Sequence, residues 1–103
     1  MKKTITQQKL DAYFDVSQRA LDKVKIGKQR DLDWESSAHD FLDMARRYVA
    51  DAHYFKDNED FVNAFAALNY AHGWLDAGAR LGLFDVDFDN VLFTVDKEMF
   101  NNG

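Results

Sequence analysis

Cysteine and proline are both absent from this chain of 103 residues, and each absence narrows what the chain can form. Without cysteine it can build no disulfide framework, thiolate metal site or cysteine nucleophile. This fits a reducing compartment, and we expect a cytoplasmic protein. Without proline, no ring interrupts a helix interior. Long apolar runs are also missing, because no stretch approaches the roughly 20 residues that cross a bilayer. We therefore expect no membrane association.

Basic residues are also fewer than acidic ones. Thirteen basic residues stand against 18 acidic ones, which gives a net charge of −5. Binding to nucleic acid is unlikely on this balance, since it depends on cations that displace counterions from the phosphates. The one basic cluster comprises Lys23, Lys25, Lys28 and Arg30. It falls at the predicted end of the first helix, where cations complement the helix dipole.

What the chain does contain is apolar residues at helical spacing in three segments, which predicts a single all-α domain over residues 1–103. The first helix is expected at about 6–26, with Gly27 as the left-handed residue that ends it. A helical hairpin is expected at about 37–82. Ser37, with Asp40 three residues on, resembles the capping box that begins its first helix.

A short polar connection joins the two helices of this hairpin. Asn58 is expected in the left-handed conformation, and Asp60 is expected to cap the next helix. So short a connection makes the helices antiparallel. The predicted fold is an up-down-up three-helix bundle with a central antiparallel helical hairpin and a short extended C-terminal tail.

Residues 61–84 are the most distinctive segment, because they are rich in alanine and glycine and apolar nearly all round the helix. Such a helix must be covered on more than one side. Small residues also let a neighbouring backbone approach closely. The large side chains expected in the core of the hairpin are Tyr48, Phe55, Phe65, Leu68 and Leu75.

A narrow polar sector on the same helix is the first candidate site. It comprises Asn69, His72, Asp76 and Arg80. Asp76 stands four residues after His72 and four before Arg80, so both side chains fall on its face of the helix. We interpret the four as a polar seam in which Asp76 accepts from its two neighbours.

Three histidines are each followed by an aspartate four residues later. The pairs are His39/Asp43, His53/Asp57 and His72/Asp76. The spacing suits a metal site, but His39 and His53 lie about 21 Å apart along one helix at 1.5 Å per residue. We therefore predict no metal site and no cofactor.

Arg46, Arg47 and His53 form the second candidate site. Arginine six or seven residues before histidine resembles the pattern of helical ribonucleases of the HEPN type. There an arginine would stabilise phosphorane charge and a histidine would move a proton. The simpler interpretation is a charged helix face with an Asp43–Arg47 ion pair. Neither candidate predicts a catalytic residue.

The tail over residues 84–103 alternates apolar residues with Asp85, Asp87 and Asp89. This period favours extended structure, with a hairpin turning at Asp89-Asn90, although a helix over 89–100 stays open. The aspartates also resemble the start of an EF-hand loop. Asparagine holds the position that such loops give to glycine, so we expect packing rather than calcium binding.

The segment NAFAALNYAHGWLDAGARLGLF, with its hairpin over residues 38–84, resembles an archaeal family of small helical proteins, the domain of unknown function 357. Glu59 replaces a glycine that is usual in the turn of that family. The resemblance implies a helical bundle from an archaeon-like source and carries over no activity.

Two classes of function remain open from the sequence. The first is a non-enzymatic interaction or scaffold module, with a protein partner or a homodimer formed through the apolar surface of the third helix. The second is a HEPN-like RNA-processing enzyme built on Arg46, Arg47 and His53. A binder of a small ligand or metal is a further alternative.

Overall fold

The computed structural model of the protein describes residues 4–94. Over this range the chain forms three helices and no strand: α1 (Gln7–Lys23), α2 (Trp34–Asp57) and α3 (Phe61–Leu81). The prediction of an all-α helical bundle is confirmed, and so is the helical hairpin at its centre. Residues 95–103, which hold the end of the predicted tail, lie outside the described residues.

The first helix begins where its capping signal stands and ends earlier than predicted. The Thr6 side chain accepts a hydrogen bond of 3.1 Å from the backbone N–H of Lys9 and so caps α1. The helix ends at Lys23, because Val24 turns to an extended conformation with ψ of 134°. The expectation that Gly27 ends the helix is therefore wrong. A β-branched residue leaves the helix three positions before the glycine.

The second helix also begins earlier than predicted. Asp33 caps α2 by accepting from the backbone N–H of Ser36 at 3.0 Å, so Ser37 and Asp40 lie inside the helix. The early start places Trp34 in the first turn. From there its ring lies 3.9 Å from a Cβ built on Gly82, next to the end of α3.

The turn of the hairpin uses a different residue from the one predicted. Asn58 has φ of −94°, whereas Glu59 takes the left-handed conformation with φ of 56°. Asn58 instead donates its side-chain amide to the carbonyl of Tyr54 at 2.8 Å. Asp60 does cap α3, since its Oδ1 accepts from the N–H of Asn63 at 3.2 Å. Gly82 ends α3 with φ of 86°.

Alanines form the contact between α2 and α3. The buried residues of the described chain are Ala45, Ala52, Ala64, Ala67, Ala71, Gly78, Ala79 and Leu83. Side chains this small let the two backbones approach closely along the hairpin. The predicted core is wrong for Phe65 and Leu68, which are 67% and 45% exposed. Tyr48, Phe55 and Leu75 are half-buried.

Helix α1 has little part in this packing. None of its residues is buried, and it makes only marginal contact with the hairpin. The radius of gyration is 16.5 Å, against about 13 Å for a compact chain of 100 residues. The described protein is thus a tightly packed hairpin of α2 and α3, with α1 beside it and the apolar side of α1 open to solvent.

Behind α3 the chain reverses and runs back over the helix in turns. The N–H of Leu83 donates to the carbonyl of Gly78 at 2.8 Å, and the ring of Phe84 lies directly over Gly78. The predicted extended hairpin at Asp89-Asn90 is wrong for the described residues. Asp87 and Phe88 take left-handed conformations, and Thr94 ends beside α3. Residues 90–92 form a turn and no helix, and the rest of the helical alternative, from residue 95 on, lies outside the described residues.

Candidate interaction surface

An apolar groove runs along one face of the hairpin, between α2 and α3. We call it the α3 groove, and it is lined by Ala52, His53, Lys56, Phe61, Ala64, Phe65 and Leu68. Its concave part has a volume of about 370 Å³. The small side chains Ala52 and Ala64 form the floor because they are the residues through which α2 and α3 pack. The large side chains rise from α3 as one wall.

The wall of the α3 groove is open to solvent. Phe61 is 43% exposed, Phe65 67% and Leu68 45%. On a helix these residues follow one another at four and three positions, so they form a continuous ridge. His53 and Lys56 place an imidazole and an ammonium group on the opposite wall, which α2 provides. The groove is therefore apolar at its base and along α3, and polar along α2.

The other face of the hairpin carries two aromatic pairs, which border two hollows of about 350 and 320 Å³. The rings of Phe41 and Trp74 meet edge to face with centroids 5.0 Å apart. Tyr48 and Tyr70 meet in the same way at 4.4 Å. Edge-to-face pairs of this kind stabilise each other by about 0.5–1.5 kcal/mol beyond the area that they bury. The aromatic face is therefore partly open, with Tyr70 56% exposed, whereas the α3 groove exposes a row of large side chains along one wall.

Helix α1 presents a second open apolar surface, which we call the α1 stripe. It comprises Leu10, Tyr13, Phe14, Leu21 and Val24, which are 44% to 72% exposed. Ile5, just before the helix, lies near Phe65, Ala66 and Asn69 on the outer side of α3. The start of α1 thus lies beside α3, and the α1 stripe is left uncovered.

The polar sector of α3 has a different partner from the one predicted. Oδ1 of Asp76 accepts from the backbone N–H of Thr94 at 3.0 Å. Within residues 4–94, Asp76 makes no ion pair with His72 or Arg80, and both of those side chains are exposed. Asn69 is exposed beside Phe65 and Ile5. The sequence could not indicate this use of Asp76, because the alternation in the tail does not show where the tail lies against α3.

The three residues of the HEPN-like pattern lie on exposed turns of α2. Arg47 pairs with Asp43 at 2.9 Å, as the simpler interpretation predicted, and so points toward the preceding turn. His53 lines the α3 groove beside Lys56. Arg46 is exposed two turns before His53. The structure therefore places His53 with Lys56 at the α3 groove. The spacing of arginine and histidine in the sequence did not indicate this position.

The histidine–aspartate pairs and the tail aspartates have other partners. Nε2 of His39 lies 3.8 Å from Glu35 rather than beside Asp43. In residues 4–94 no group of three or more histidines and acids is placed to hold a metal ion. Oδ1 of Asp85 accepts from the N–H of Asp87, and Oδ1 of Asp89 accepts from Val91 and Leu92. These aspartates stabilise turns of the tail.

These features define a class: a small all-α protein with a hairpin packed through alanines and two open apolar surfaces. The sequence model of one family, described as protein of unknown function (DUF357), matches residues 12–84. The chain belongs to this family, as the resemblance over the hairpin predicted. Comparisons with curated proteins and with solved structures give no significant match. Among the described helices, none combines the length and apolar character of a membrane span.

Proposed function

We propose that the protein is a non-enzymatic interaction module that acts as a homodimer. The observation that carries the proposal is the exposure of the α3 groove together with the α1 stripe. Single-chain proteins rarely expose a contiguous apolar patch larger than about 300–600 Å². Here Phe61, Phe65 and Leu68 form one exposed apolar ridge, and four side chains of α1 together with Val24 form a second.

A second copy of the chain suits these surfaces in both extent and chemistry. A specific interface buries about 800 Å² on each partner. The stripe alone exposes on the order of 500 Å², taking about 150–250 Å² for a large side chain. The groove wall adds a further share, so one copy offers enough surface for a standard interface. The centre of such an interface is typically aromatic and poor in charge, as Phe61, Phe65, Tyr13 and Phe14 are.

The test compares two serine substitutions at exposed apolar residues by sedimentation equilibrium. Phe65→Ser removes the most exposed side chain of the groove wall and should raise the dissociation constant of the dimer at least tenfold, as for a central interface residue. Ile26→Ser is the control, because Ile26 is fully exposed in the connection after α1. It should leave the constant unchanged. Equal effects of the two variants would contradict the proposal. The cytoplasmic location stays a prediction.

A further inference from the structure

We propose that the homodimer is formed by exchange of α1, so that the stripe of each copy lies in the α3 groove of the other. This inference rests on the proposed homodimer and adds the segment that occupies the groove. The chain's own α1 leaves the groove open. None of its residues is buried, and it makes only marginal contact with the hairpin. An exchanged identical element is a low-cost route from a monomer to a dimer.

The dimensions of the two surfaces agree. Helix α1 has 17 residues, which is about 25 Å at 1.5 Å per residue. On α3 the groove lining runs about 10 Å from Phe61 to Leu68, and the same helix face continues to Leu75, which gives about 21 Å in all. Residues 24–33 connect α1 to the hairpin without helix. At about 3.3 Å per extended residue, they can carry α1 across to a second copy.

The charges beside the stripe fix a direction. On the helical wheel, Asp11 and Asp22 flank the stripe on one side, and Lys9 and Lys23 flank it on the other. When α1 lies parallel to the partner's α3, the acidic flank runs along the α2 wall. In this direction, the acidic flank begins next to His53 and Lys56.

The basic flank then runs along α3. With Asp11 level with Lys56, Lys23 lies twelve residues, or about 18 Å, further along α1, which is about one turn before Asp76. The antiparallel direction would bring the acidic flank to the side of Asp76 and the basic flank to Lys56. The basic flank would then face Lys56 along the α2 wall, so charge complementarity at this wall selects the parallel arrangement.

The absence of cysteine makes the exchange directly testable by cross-linking. In the parallel arrangement, Ser17 of α1 lies about 8 Å before His72 of the partner's α3 along the helix axis, within the span of a short cross-linker. Neither residue has a large apolar side chain. A chain with Ser17→Cys is mixed with a longer, tagged chain with His72→Cys, refolded together and treated with a short bis-maleimide. We expect a covalent dimer of one chain of each kind. Asp51→Cys, on the aromatic face of the hairpin, replaces His72→Cys as the control and should give none.

Three other results overturn the exchange and are distinguishable. A chain with both Ser17→Cys and His72→Cys that links within itself at high dilution would assign α1 to its own groove. A dimeric mass without the Ser17–His72 link would leave the homodimer standing and refute exchange of α1. A monomeric mass of the unmodified chain at all concentrations would refute the proposed function together with the exchange.

Discussion

The backbone N–H of Thr94 donates a hydrogen bond of 3.0 Å to Oδ1 of Asp76, eighteen residues earlier in the chain. Thr94 lies in the tail, and Asp76 lies in the second turn from the end of α3. The bond therefore ties the returning tail to the helix. Together with Phe84 over Gly78, it holds the tail against the end of α3 that the α3 groove does not reach.

Asp76→Ala should loosen the tail and lower the free energy of unfolding by about 0.5–1.5 kcal/mol, the usual net contribution of one hydrogen bond. Hydrogen exchange at Thr94 should accelerate, since its N–H loses its acceptor. Arg80→Ala is the control. Arg80 is exposed one turn later and forms no ion pair with Asp76 among the described residues. Equal acceleration in both variants would show that the polar seam, rather than the tail contact, sets the role of Asp76.

Gly78→Ala should destabilise the protein because the new methyl group would overlap the ring of Phe84. Overpacking of this kind costs about 1–3 kcal/mol. Gly73→Ala is the matched control on the same helix, since a Cβ at Gly73 meets nothing within 4 Å. That variant should gain up to about 1 kcal/mol of helix propensity. Chemical denaturation measures both, and a stabilised Gly78→Ala variant would refute the packing of Phe84 on α3.

Glu59→Gly should stabilise the hairpin turn. Glu59 has φ of 56°, a left-handed conformation that costs a residue with a side chain about 1–2 kcal/mol and that glycine adopts without strain. Part of this gain is lost to the flexibility of glycine in the unfolded chain. Asn58→Gly should instead destabilise, because it removes the bond to the carbonyl of Tyr54. Thermal denaturation measures both variants. A higher melting temperature for Asn58→Gly than for Glu59→Gly would show that the left-handed residue is not Glu59.

Ala71→Leu should push α2 and α3 apart. Ala71 is 1% exposed at the helix contact, so three added carbon atoms cost about 1–3 kcal/mol or more in a packed core. Ala66→Leu is the control at an exposed position of the same helix and should change stability by less than about 0.5 kcal/mol. The melting temperature measured by circular dichroism checks both variants. Similar decreases in the two would argue against a contact between α2 and α3 through alanines.

The local signals in the sequence specified the hairpin well. Asp60 and Gly82 occupy the ends of α3 because their side-chain chemistry and conformational freedom act within one turn. The resemblance to the family was carried by residues 38–84, and this is the part that packs. Glu59 shows the limit of local rules. The turn requires one left-handed residue, and the preference of asparagine for that conformation predicts Asn58. In the structure the left-handed residue is the next one, Glu59.

The face of α3 that packs on α2 could not be predicted in the same way. The helix is apolar nearly all round, so a wheel that weights large side chains centres on Phe65 and Leu68. The structure instead packs α2 against Ala64, Ala67 and Ala71, where small size allows the closest approach. The path of the tail and the position of α1 depend on contacts distant in sequence, which no local period encodes.

The molar mass of the unmodified chain in solution tests the central claim most directly. Sedimentation equilibrium over a range of protein concentrations separates a chain of 11.9 kDa from its dimer. We predict a mass that approaches twice this value as the concentration rises, because a second copy covers the α3 groove and the α1 stripe. A mass that stays at 11.9 kDa throughout would contradict the homodimer.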